Sequence, residues 1–184
     1  MLKELFTSQA RIKLLELFIL NPNKEFYVRE LTRILDEQIN SIRRELENLS
    51  KIQFLKNKLK QRKKYYKLNH NTEKFKDLNP LILKNSDHLK RFIKACNKQG
   101  SLDLLLLSGV FINQESPFDI YLVGEIRQTE LTDILKKFKL SEYKIHFVNT
   151  ADFAELWGEK DIQTISIIQA EQNIKIYSNI DQFL

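Results

Sequence analysis

The spacing of apolar residues changes character at Ile52-Gln53, and that change limits what the first part of the chain can fold into. Before it, apolar residues recur three and four apart, the period of a helix buried on one side. After it comes an extended run, Phe54-Leu55-Lys56-Asn57-Lys58-Leu59-Lys60, a break at Gln61-Arg62, and a second run, Lys63-Lys64-Tyr65-Tyr66-Lys67-Leu68-Asn69. Two strands joined by so short a break predict a hairpin. Tyr65 and Tyr66 fall on opposite sides of the second strand, so one is expected in the core and the other exposed.

Three helices are expected ahead of the hairpin. In SQARIKLLELFILNP, Ile12, Leu14, Leu15, Leu17, Phe18 and Leu20 form a broad apolar stripe that ends at Asn21-Pro22. Phe26-Tyr27-Val28 suits a short strand, and Val28, Leu31, Ile34 and Leu35 give a second helix. Asp36-Glu37 supplies turn and cap chemistry. Gln38 to Ser50 repeats the helical spacing through Ile39, Ile42, Leu46 and Leu49. At 100° per residue these four fall within about 80° of one another, which leaves Asn40, Ser41, Arg44, Glu47 and Asn48 opposite. Two helices joined by a tight turn, the second carrying amide, hydroxyl and guanidinium groups outward, meet the requirements for reading a major groove. Gln38, Asn40, Ser41 and Arg44 are the expected base readers, and Arg43, at the flank, is expected on a phosphate.

Charge separates the chain into two parts. Residues 1–84 hold 19 Lys and Arg against 10 Asp and Glu, a surplus of +9, whereas residues 85–184 hold 11 against 14, a balance of −3. Six Lys and one Arg lie between Lys56 and Lys67. A polyanion is the natural complement of such a density, and Lys56, Lys58, Lys60, Arg62, Lys63 and Lys64 are expected on phosphates. If about five charges each neutralise one phosphate, log affinity falls against log salt with a slope of about −4 to −5. A basic hairpin alone would also suit RNA or an anionic membrane surface, and a bundle without nucleic-acid affinity would share the apolar spacing. Helix order and charge together favour duplex DNA.

The segment QARIKLLELFILNPNKEFYVRELTRILDEQINSIRRELENLSKIQFL, with KKYYKLN closing the hairpin, resembles the winged helix-turn-helix regulators of the ArsR-like type over about 60 residues. The resemblance implies a homodimer formed through helices flanking the reading head, here the first helix and the segment after Pro80.

Asn79-Pro80 reads as a break, after which Ser86 caps a helix with Leu89, Phe92, Ile93 and Cys96 on one face and Gly100 at its end. This connecting helix is expected to pack either on the C-terminal part or, as the favoured reading, on its own copy in a second subunit. His88 is expected to be solvated. The lone Cys96 excludes an internal disulfide and reads as a core residue.

In the acidic part, Leu102 to Leu107 and Asp119 to Val123 read as strands, the second closed by Gly124. A helix over Arg127 to Lys139, a strand over Lys144 to Val148, helices over Ala151 to Trp157 and Asp161 to Gln172, and a strand over Ile174 to Tyr177 follow. Thr150 is the expected cap of the first of those two helices, and Phe153 with Trp157 the expected core contact. The order β-β-α-β-α-α-β, with LLLLSGVFINQESPFDIYLVGEI at its centre, looks like the minimal nucleotidyltransferase fold. That family's Gly-Ser pair and Asp-x-Asp serve to hold two divalent cations about 4 Å apart. Here Ser108-Gly109 is inverted, Pro117 stands at the first aspartate and Asp119 at the second, and His146 stands where a third carboxylate would be. The resemblance therefore implies a degenerate pocket at Ser108, Gly109 and Asp119, with no catalytic group. The backbone of Ser108 to Val110 could still offer N–H groups to the phosphate of a nucleotide. On its own surroundings Asp119 reads as a strand-end carboxylate bonded to nearby backbone.

The expectation is thus an α+β chain: a winged helix over 1–84, a connecting helix over 85–100 and a nucleotidyltransferase-like domain over 101–184. It is expected in the cytoplasm, since MLKELFTSQAR lacks the features of a signal peptide and no apolar run would span a bilayer. Its partners would be duplex DNA, a second copy, and a nucleotide or protein at the C-terminal domain, with no metal and no cofactor. Two rivals stand beside a transcriptional regulator: an active nucleotidyltransferase delivered by its winged helix, and an interaction protein that neutralises a toxin.

Overall fold

The computed structural model describes residues 8–180 and has a mixed α+β architecture in two compact units that divide between Asn85 and Ser86. The expectation about the first seven residues lies outside the described part. Among the described residues no helix is long and apolar enough to cross a membrane.

In the first unit, α1 (Gln9–Leu20) starts at Ser8, whose Oγ accepts the Arg11 backbone N–H. It is the unit's central element, burying Ile12, Leu14, Leu15, Phe18, Ile19 and Leu20. A two-residue strand β1 (Phe26–Tyr27) leads directly into α2 (Val28–Leu35), and α3 (Ile39–Lys51) follows. The bend between α2 and α3 is made by Asp36, which adopts left-handed φ of 51° and donates its N–H to Thr32 O. Short polar side chains tolerate that conformation better than branched ones.

The hairpin is β2 (Leu55–Lys60) and β3 (Lys63–Leu68), with β1 on the far side of β3, and all three strands are antiparallel. Phe26 and Asn57 both face Tyr66, and Leu55 faces Leu68. Strand alternation then sends Phe26, Leu55, Tyr66 and Leu68 inward, where all four are buried. Tyr65 points the other way and is half-buried, edge-on to Tyr27 at 5.6 Å between ring centroids.

The break expected at Asn79-Pro80 is absent, and α4 (Glu73–Lys84) runs through Pro80. A proline inside a helix forfeits one backbone hydrogen bond, at a cost of about 3 kcal/mol. Burial of Phe75, Asn79, Ile82 and Leu83 opposes that cost. The segment after Pro80, expected to meet a second subunit, is thus taken up inside its own unit.

The second unit opens with α5 (Asp87–Gln99), which Ser86 caps through its Oγ and the Leu89 N–H. A mixed sheet in the order β6-β5-β4-β7 follows, built from β4 (Gly100–Leu107), β5 (Ile120–Ile126), β6 (Ile145–Val148) and β7 (Ile174–Ser178). β5 and β6 are parallel, and the other pairs are antiparallel. The helices are α6 (Gln128–Lys137), α7 (Thr150–Gly158) and α8 (Ile162–Gln169). Leu104, Leu106, Tyr121 and Val123 form one core with Phe153, and Trp157, Ile167 and Ile168 pack against it. The Phe153 and Trp157 rings stack at 6.1 Å, in keeping with a core role.

Several details differ from the expectation. α5 is no free connector: it packs on β4 and α6, and Leu89, Phe92 and Cys96 are buried there. A stripe so covered is not available to a second copy. His88 is likewise not solvated, because its Nε2 lies 3.0 Å from Phe138 O and its ring meets the Phe138 ring edge-on. Gly124 does not close β5 but sits within it, where a Cβ would come 2.2 Å from Ser101 O on the neighbouring strand. The cap of α7 is Asn149, one residue before Thr150.

The hairpin turn carries measurable strain. Gln61 and Arg62 both have positive φ, 47° and 60°, in a two-residue loop that is otherwise the territory of Asn-Gly. Replacing Gln61-Arg62 by Asn-Gly is expected to stabilise the first unit by about 1 kcal/mol, measured by urea unfolding.

Candidate nucleic-acid interface

The outward surface of α3 is set by what its inner surface must bury. Ile42, Leu46 and Leu49 are buried, and so is Glu45, with a side chain 2% exposed. Its carboxylate accepts the Arg11 Nε–H at 2.8 Å, tying α3 to α1. Burial works to raise the carboxyl pKa, but hydrogen bonds from Arg11, Ser8 and Asn48 outweigh it and hold the group below the usual carboxylate range. Glu45 stands three residues after Ile42 and four before Leu49, so the spacing puts it beside the apolar stripe, but the sequence alone does not name Arg11 as its partner.

With that side fixed, Gln38, Asn40, Arg43, Arg44 and Glu47 are exposed, while Ser41 and Asn48 are half-buried. Arg43 lies toward the flank of the exposed strip: Asn40 is at its middle, with Arg44 about 40° to one side and Arg43 about 60° to the other. Its outward position is set by Ile42 and Leu46 facing the core. Gln38 is the residue just before the helix, with extended backbone, and Ile39 beside it is 36% exposed.

The antiparallel register sorts the hairpin's charges by face. Lys56 is opposite Lys67, Lys58 opposite Tyr65, and Lys60 opposite Lys63, so these five lysines share the outer face with Tyr65 and Tyr27. Lys64 lies on the other face, opposite Leu59, beyond the reach of the core. Leu59 is 76% exposed there. The Lys63 ammonium lies 5.0 Å from the centre of the Tyr27 ring and the Lys64 ammonium 5.5 Å from that of Tyr66. Arg62 stands in the turn, exposed.

One acid sits among these bases. The Glu25 carboxylate, immediately before β1, pairs with the ammonium groups of both Lys58 and Lys60, the second at 3.0 Å. Hydrogen bonds from Lys58 and then Lys60 hold its carboxyl below the usual range. Read along the chain, Glu25 belongs to a turn more than thirty residues from its partners, and only the pairing of β1 with β3 brings them together.

In the second unit, Asp119 is buried and both of its oxygens are engaged. Oδ1 accepts the Val110 N–H and Oδ2 the Lys144 N–H, each at 2.9 Å. The Ser108 N–H is donated to Asp119 O, so two of the three N–H groups expected to be open to a phosphate already have partners. Gly109, between them, has φ of +50° and leaves no room for a Cβ beside Asp119 Oδ1. A shallow cavity of about 550 Å³ adjoins this turn, lined by Gly109, Asp119, Ser116 and Lys144 among others. Ser108 is buried and donates its hydroxyl to Ser116 Oγ.

A second buried carboxylate was not foreseen. Asp103, at a bulge in β4, accepts the Thr150 hydroxyl at 2.6 Å. Its signal in the sequence is a single charge inside the run LDLLLL. Asp103 lies near Val123, midway along the β4–β5 pair, and Asp119 lies beside Ser108 at the end of that pair. His146 is exposed and stacks on Tyr121 at 5.1 Å. Cys96 is fully buried, and burial pushes its thiol up to about 12. Among the described residues no group of three His, Cys, Asp or Glu is placed to hold a metal ion.

No protein-family model, curated protein or solved structure matches the chain.

Two expected outcomes follow from these carboxylates. Arg11→Met leaves the buried Glu45 with only the exposed Arg44, 3.7 Å away, as a cation, and is expected to cost about 1–3 kcal/mol, less than for a fully buried pair because Arg11 is one-third exposed. Because the folded-state pKa of Glu45 is depressed, its contribution is complete above the unfolded value and disappears as pH falls through the folded one. Urea unfolding at a series of pH values should therefore show a shallower acid loss in Arg11→Met than in wild type. Asp119→Ala orphans the Val110 and Lys144 N–H groups and is expected to destabilise the second unit by about 1–3 kcal/mol, read from its thermal transition.

Proposed function

We propose that the unit ending at Asn85 binds duplex DNA as a winged helix-turn-helix and that the protein is a transcriptional regulator. The reading rests on the exposed strip of Asn40, Arg43 and Arg44 on the second of two helices joined by the Asp36 bend, followed at once by a basic hairpin. Arg can form two parallel hydrogen bonds to guanine N7 and O6, and Asn can do the same with adenine. α3 enters the major groove with Asn40 and Arg44 toward base edges, Gln38 and Ser41 border them, and Arg43 at the flank reaches a phosphate. Lys56, Lys58, Lys60, Arg62, Lys63 and Lys64 serve the backbone, where charge counts more than exact position.

The surplus of +9 in residues 1–84 supports assigning the polyanion to this unit, and the balance of −3 in residues 85–184 argues against a second nucleic-acid surface of comparable strength. The second unit is the regulatory half, taking a protein or small-molecule signal. Neither helix face expected at a homodimer contact through α4 or α5 is open, since Ile82, Leu83, Leu89 and Phe92 are fully covered. A dimer would have to use other surfaces.

Selection of binding sites from a random duplex library, followed by fluorescence anisotropy, tests the reading. Arg44→Ala is expected to weaken the selected site by about 1–3 kcal/mol and to relax preference at one position. Lys63→Ala with Lys64→Ala should weaken all duplexes about equally. Failure of the library to enrich any sequence, with a variant combining Arg44→Ala, Lys63→Ala and Lys64→Ala binding as well as wild type, would sink the proposal.

A further inference from the structure

The outer face of the β1-β3-β2 sheet carries five lysines and one carboxylate, and the carboxylate is not at the edge of the patch but bonded between two of the lysines. Glu25 is 24% exposed and Lys58 and Lys60 about half exposed, so the trio is open to solvent and to a ligand. Its backbone is anchored, because the next residue, Phe26, is buried against Phe18. The side chain therefore holds a negative charge at a fixed place over the sheet, with two ammonium groups converging on it. A phosphodiester oxygen bound by this face would occupy the same kind of position.

We propose that Glu25 is a built-in phosphate surrogate, which keeps the Lys58–Lys60 site partly filled and so sets how tightly, and with what salt dependence, the hairpin takes a DNA backbone. This rests on the duplex-binding reading above and goes beyond it, since that reading treats every hairpin cation alike. With Glu25 present the trio carries a net charge of +1 in place of +2. An arriving phosphate meets a carboxylate, and either that carboxylate swings away or the two anions share the cations. Lys56 and Lys67 have no ion-pair partner among the described residues, and Lys63 lies over Tyr27, so these three face a phosphate without such competition. The hairpin thus has one restrained pair of lysines among unrestrained ones. A regulator gains from such restraint, because nonspecific backbone affinity opposes discrimination between sites.

The test measures binding of a mixed-sequence duplex, two helical turns long, by anisotropy across a salt series. The proteins are wild type, Glu25→Gln, Lys58→Gln/Lys60→Gln and the triple combination. Glu73→Gln serves as control, since it removes an equal charge from the exposed start of α4. Glu25→Gln is expected to bind about three- to tenfold more tightly than wild type at low salt, with a slope steeper by about 0.9. Glu73→Gln should change affinity by less, and the gain from Glu25→Gln should vanish when both lysines are already glutamine. Equal gains from Glu25→Gln and Glu73→Gln, or a gain that survives loss of both lysines, would overturn the proposal, as would a Glu25→Gln variant no tighter than wild type. If neither wild type nor Glu25→Gln binds, the duplex reading falls and this proposal with it. Wild-type binding with no response to Glu25→Gln removes this proposal alone. Thermal melts of each variant establish that it is folded.

Discussion

The register of β3 against its two neighbours governs most of what the first unit presents to its surroundings. With Tyr66 opposite Phe26 and Asn57, the inner face gathers Phe26, Leu55, Tyr66 and Leu68 under α1 and α3. The same register gathers five lysines on the outer face. A slip of one residue would exchange the two sets, placing ammonium groups in the core and the apolar residues in water. The charge pattern and the core are thus coupled through the register, and the hairpin cannot turn its basic face inward without losing its packing.

Acids are few in this unit, and where they occur they act on position. Glu45 is buried within α3, and its bond to Arg11 links the helix that faces outward to the central helix of the core. A leucine there would pack as well, but it would not fix the rotation of α3 about its own axis through a directed hydrogen bond. Glu25 does the corresponding work on the sheet. It binds across from the turn before β1 to the outermost strand β2, two strands away, and so braces the hairpin near its tip.

Much of this was legible along the chain. The helices over Gln9–Leu20 and Val28–Leu35 and the hairpin follow from spacing because each buries one side at its own period, and the central strands of the second unit follow from short apolar runs bounded by turn residues. What was not legible depends on partners far away in sequence. Pro80 reads as a stop, and it is tolerated only because Phe75, Ile82 and Leu83 around it are buried. Gly124 also reads as a stop, although its function is to let two strands approach. The lysines of the hairpin were visible, but their division into a restrained pair and a free set was not, since Glu25 becomes their neighbour only through a strand two residues long.

The second unit shows the opposite relation between charge and packing. Its two central strands, β4 and β5, are buried on both faces, so the runs LLLL and IYLV are nearly continuous and any carboxylate within or beside them must find donors locally. Asp103 finds Thr150 at the start of α7, and Asp119 finds Val110 and Lys144. Asp103 joins β4 to the start of α7 midway along the β4–β5 pair, and Asp119 joins the start of β5 to the segments after β4 and before β6 at the end of that pair. Each fastens one segment of the unit to another, Asp119 beside the cavity at the turn of Gly109.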